Sequence, residues 1–147
     1  MNKKIIFLSI LFLAIGFTSY AQPKKPKSIV MSVTTLKTYN EKATLETMNK
    51  GELISLYVER VKLLAQTMPY IALANKPGVT MDDVGIPSNP ENTKLLDVEQ
   101  ESTLTFMTNN GDFLRKILPY ADKSTLITCI LFYENALKEL HTMNDSN

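Results

Sequence analysis

His141 is the one histidine in this sequence and Cys129 the one cysteine. A general base needs an imidazole held at a fixed distance from the proton it removes, and a zinc site needs three or four ligands at characteristic spacing. A lone histidine meets neither need. His141 lies near the end of an amphipathic run, where its charge would favour the helix dipole, so a surface role is expected. Cys129 sits between Thr128 and Ile130 in an apolar stretch, and a buried, inert thiol is expected there. The GxSxG elbow, the HExxH motif, the Gly-rich phosphate loop and the CxxC pair do not occur in the sequence.

Oxygen ligands are the remaining source of chemistry. Asp82 and Asp83 are adjacent carboxylates, and with Asn89, Glu91 and Asn92 they offer hard donors for calcium. Their spacing does not match an EF-hand, so a solvated turn or helix cap is the expectation. A hydrolytic pair such as Glu59 with Asp83 would need a spatial separation that sequence does not reveal. Methionines 31, 48, 68, 81, 107 and 143 are scattered without an MxxM cluster and read as core filling. No catalytic residue, metal site or cofactor is therefore expected.

The elements that would position any site are clearer. In the stretch from Asn49 to Tyr70, Leu53, Tyr57, Val61, Leu64 and Met68 recur at helical spacing, widened by Ile54, Val58 and Ala65. Asn49 with Glu52 forms a capping pair, and Pro69 stops the run. This is the expected core helix. A second seam, Leu126, Ile130, Tyr133, Leu137 and Leu140, begins at Asp122 or Ser124 and should lie along it. Glu134 and Lys138 read as a supporting pair on the polar side of that helix.

Between these two, Asn89 caps a helix with Pro90 at its first position, expected to continue to about Thr108. Asn109-Asn110-Gly111 reads as its stop, and Asp112 as the cap of a further short helix that Pro119 ends. Residues 39–48 suggest a short helix leading into the core helix. Residues 28–37, rich in β-branched side chains, suggest a strand with no evident partner and are left open. Shifting the chain by 50 residues superposes Met68-Pro69-Tyr70 on Leu118-Pro119-Tyr120. A duplicated helical unit and chance similarity of two amphipathic helices both account for it; in either case the proline should stop the helix and the tyrosine ring cover its end.

These signals give an all-α, single small domain of four to five helices, bundle-like, with one long irregular loop at 75–89. That loop is broken by Pro77-Gly78, Gly85, Pro87 and Pro90 but carries Val79, Met81, Val84 and Ile86. Loops of this length in compact domains are functional or disordered, and the apolar residues argue for packing. Val79, Met81, Asp82, Asp83, Val84 and Ile86 form the expected partner-binding surface.

The chain opens with Lys3-Lys4, a 13-residue apolar run from Ile5 to Phe17 and Ser19-Tyr20-Ala21, the pattern of an export signal. Cleavage between Ala21 and Gln22 leaves 126 of the 147 residues, enough for one domain. The expected organisation is a signal at 1–21, a basic leader and open segment at 22–37, a helical domain at 38–143 and a frayed tail at 144–147. Localisation is then periplasmic or secreted, with no stable membrane span after cleavage. The remaining 14 basic and 15 acidic residues nearly cancel, which removes the electrostatic footprint of a nucleic-acid binder. A single cysteine leaves an exported domain without an internal disulfide. The functional expectation is a non-catalytic protein-binding module of interaction, inhibitor or immunity type, acting on another envelope or secreted protein. The alternative is a helical pocket protein holding an apolar or lipid-like ligand.

Overall fold

The computed structural model describes residues 26–31, 36 and 38–145. The export signal and most of the basic leader lie outside the described residues. Among the described residues four α-helices follow in order: α1 (Lys42–Thr47), α2 (Lys50–Thr67), α3 (Pro90–Ile117) and α4 (Lys123–Asp145). The domain is all-α, as the periodicity implied. Among the described residues the only extended pairing is one antiparallel bridge between Ser28 and Thr80, so the β-branched segment does not build a sheet there.

Helix α2 is the middle of the molecule and packs against both α3 and α4. Its start is fixed by a reciprocal cap: the Glu52 amide donates to Asn49 Oδ1 at 3.0 Å, and the Asn49 amide donates to Glu52 Oε2 at 2.8 Å. Two donors that a helix start leaves orphaned are thereby satisfied. Leu53 and Ile54 meet Leu126, Ile127 and Ile130 in one buried cluster, and Leu63 and Leu64 meet Leu137 and Leu140 in another. Both sets of numbers rise together, so α2 and α4 run parallel. Each fully buried Leu or Ile in these clusters contributes ~1.5–3 kcal/mol.

Helix α3 runs the other way along α2. A Cβ placed on Gly111 would sit 3.3 Å from Val58 Cγ1, while Tyr70, just past the end of α2, lies beside Thr103. This contact corrects the expected stop at Asn109-Asn110-Gly111. Gly111 is buried inside α3, where the missing side chain lets two helix backbones approach. The expected pair of helices is one helix of 28 residues.

Both α2 and α3 tighten into a single 3-10 turn containing their Pro-Tyr, Met68–Tyr70 and Leu118–Tyr120. The ring roles differ: Tyr70 is half-buried, whereas Tyr120 is 91% exposed and covers nothing. Lys50 Nζ donates to the Pro119 carbonyl at 2.6 Å, tying the α3–α4 corner to the start of α2.

Glu134 is also corrected. It does not lie on a polar face with Lys138; it is 1% exposed, and Arg60, 2% exposed, donates from Nε to its Oε1 at 2.9 Å. Asn40 adds two more donors to the same oxygen, and Arg60 Nη2 donates to the Thr38 carbonyl. The pair thus fastens the segment before α1 across α2 and α4. Lys138 instead stands over the Tyr39 ring, 5.2 Å from its centroid. The Tyr39 hydroxyl in turn bonds His141 Nδ1, so the histidine is exposed on α4 yet partnered. Among the described residues, no helix is long and apolar enough to cross a membrane.

Candidate functional site

The loop between α2 and α3 is built from its own polar groups. Asp83 Oδ2 accepts from the Thr80 amide at 2.8 Å and the Thr80 hydroxyl at 2.7 Å, and Asp82 Oδ1 accepts from the Ser88 amide at 3.1 Å. The Thr80 hydroxyl and then its amide hold the Asp83 carboxyl below the usual carboxylate range, against a small opposing effect of burial. A 3-10 turn, Asp82–Val84, closes on Gly85 at φ 77°, a left-handed conformation that glycine adopts without a Cβ clash. Ile86 returns its amide to the Met81 carbonyl at 2.9 Å.

The N-terminal segment anchors the loop from outside. Ile29 donates its amide to Val79 O at 2.8 Å, and the Ser28 hydroxyl oxygen accepts from the Gly78 amide at 2.8 Å. Gln100, buried on α3, donates from Nε2 to the carbonyls of Ser28 and Ile29. Gln100 thus works inside the fold although it stands in a run of five polar residues, Glu99 to Thr103. Met81 joins Ile29, Val30, Ala74 and Leu96 in a third buried cluster, with Val79, Val84, Ile86 and Tyr70 half-buried against it.

The six expected partner-binding residues are thus divided. Met81 is buried, Val79, Val84 and Ile86 are half-buried, and Asp82 and Asp83 are exposed with carboxylates bonded to the loop's own hydrogen-bond donors. Glu59 and Asp83 are engaged separately, Glu59 by Arg60 at 3.0 Å and Asp83 by Thr80. Among the described residues, no group of three or more His, Cys, Asp and Glu side chains is placed to hold a metal ion. Cys129 is partly buried and free.

What the loop creates is a groove. An open recess of about 270 Å³ lies between the loop, the end of α2 and the first turns of α3, lined by Ile29, Tyr70, Leu73, Met81, Ile86 and Leu96 among others. Its rim is apolar: Leu73 and Leu95 are both exposed. On the other side of the loop Met81 also lines a recess of about 490 Å³, which is more polar, with Lys27, Asp82, Ser88, Thr93 and Asp97. Comparison with known protein families, curated sequences and solved structures found no match.

Tyr70, Asn92 and Glu99 are the polar side chains among the residues that line the groove, and Tyr70 is the one whose polar atom is buried. Its hydroxyl is buried without a well-formed hydrogen bond among the described residues, although the Thr103 hydroxyl lies beside it. Burial first, and the Glu99 charge second, raise its pKa against the opposing effect of Thr103, so the phenol stays protonated and keeps a proton to donate. Sequence reasoning named the loop and missed Tyr70, Leu73 and Leu95. The available signals were Ile71 and Leu73 continuing apolar after the Pro69 stop, and Leu95 lying off the face that α3 buries.

Proposed function

We propose that this protein is exported and works by binding another protein of the cell envelope or secreted space. The observation that carries the reading is the groove. An apolar trough with exposed Leu73 and Leu95 at its edge, floored by Met81, Ile86 and Leu96, suits a protruding apolar side chain. Asp82 and Asp83 hold the loop in the shape that forms one wall, so the carboxylates act by positioning. The groove is an open surface, whereas the α2–α4 seam is filled by Leu53, Leu126 and Ile130, which favours a partner approaching from outside over a ligand enclosed between helices.

The test is capture from envelope extract on tagged protein, with Leu73→Glu as the comparison. Leu73 is exposed, so the fold tolerates the change, while the groove gains a charge that an apolar anchor would have to desolvate. One stoichiometric partner, retained by wild type and weakened roughly 30-fold or more by the variant, is expected. Equal capture by both proteins would show that the groove is not the binding surface. An apolar small molecule that co-purifies with wild type and is absent from the variant, with no protein captured, would replace this reading with the ligand-binding one.

A further inference from the structure

Helix α3 has a second face. Leu95, Val98, Phe106, Phe113 and Ile117 are between 41 and 63% exposed, and with Ser102 and Asn109 they form a line along the helix at successive steps of three or four. The line spans ~33 Å and keeps to one side of a straight helix. The residues that α3 buries, Leu96, Gln100, Met107 and Gly111, lie on a different side. Leu95 also stands at the groove's edge, whereas Phe106, Phe113 and Ile117 lie outside it, so the two surfaces share that one residue and are told apart by substitutions at Phe106 and Leu73.

The order of residues in this line is self-complementary. Reversed about Phe106, Leu95 falls on Ile117, Val98 within one residue of Phe113, and Ser102 within one residue of Asn109. Apolar meets apolar, polar meets polar, and Phe106 meets itself. An isologous two-fold interface between antiparallel helices requires that relation. The charges agree in direction. Glu91, Asp97, Glu99 and Glu101 outnumber Lys94 before Phe106, whereas after it Arg115 already engages Asp112 at 3.4 Å and the net basic charge is carried by Lys116. Asp97 is already engaged by Lys27, and the first half remains acidic without it. Antiparallel pairing sets the acidic half of one helix beside the basic half of the other and opposes the two helix dipoles; parallel pairing does neither.

We propose that a second copy of this chain covers the exposed face of α3, forming an antiparallel two-fold dimer whose axis passes near Phe106. The test uses the chain expressed with its own leader and purified as the cell produces it. Sedimentation should show a dimer that Phe106→Lys weakens roughly 30-fold or more without loss of helicity, since Phe106 is exposed in the single chain. Register is read separately by disulfides in a Cys129→Ser background. Ser102→Cys mixed with Asn109→Cys should cross-link on oxidation, while each alone should not, because antiparallel pairing brings residue 102 of one copy near residue 109 of the other. A monomer at the highest soluble concentration overturns the proposal. So does cross-linking of Ser102→Cys with itself, the mark of a parallel pair.

Discussion

Arg60 and Glu134 show what a single residue can hide. Two charges removed from water are stable only with close geometry and further hydrogen bonds, and here Asn40 and Thr38 supply them. Glu134→Ala leaves Arg60 buried without its carboxylate and should cost ~3–5 kcal/mol in denaturant unfolding. The double variant Arg60→Met, Glu134→Leu should recover most of that loss, because it removes both desolvation penalties together. The tyrosines make a pH prediction of the same kind. Burial first, then charge or hydrogen bonding, raises Tyr39, Tyr70 and Tyr133 above the ordinary value of 10.0; for Tyr133 the second cause is its 3.0 Å bond to Tyr57. A raised folded-state pKa stabilises the protonated fold fully below the unfolded value and loses that contribution as pH climbs through the folded one. Stability should therefore be flat into mild alkali and fall above pH ~10. Tyr133→Phe should make the fall shallower in a series of urea melts. None of this is legible in the sequence. Glu134 stands four residues before Lys138 and imitates a surface pair, and its true partner is 74 positions away.

At the level of the helices, local signals and tertiary contacts separate cleanly. The start of α2, the start of α3 and the Pro-Tyr ends were readable because caps and prolines act within a few residues, and the structure builds each of them. The stop expected at Gly111 was not built, since a glycine that terminates a helix and a glycine that admits a neighbouring helix look identical in sequence. The difference lies in Val58, 53 residues away in sequence. Gly111→Leu should push α3 from α2 and cost ~1–3 kcal/mol by overpacking. Gly111→Ala should change stability by less than ~1 kcal/mol, because better helix propensity offsets a shift of a few tenths of an ångström at Val58. A thermal melt of the two variants separates close packing from backbone freedom, which would penalise both alike.

Among the described residues, α2, α3 and α4 lie side by side with α2 in the middle, and Ser28 and Ile29 are stitched to the loop and to α3 at one end. This arrangement leaves α3 with one face against α2, one end in the groove and one line of apolar side chains facing outward. The helical class and the loop were legible from periodicity and breakers. The groove was not, because Leu73, Tyr70 and Leu95 belong to three separate segments that only the folded chain brings together. Whether the groove receives another protein, as we propose, is decided by amide hydrogen exchange of the tagged protein alone and in complex with its captured partner. Protection should rise in segments 70–86 and 92–99 and stay unchanged across the outer side of α4. Protection confined to the outer side of α4, around exposed Phe132, with segments 70–86 and 92–99 exchanging as in the free protein, would contradict it.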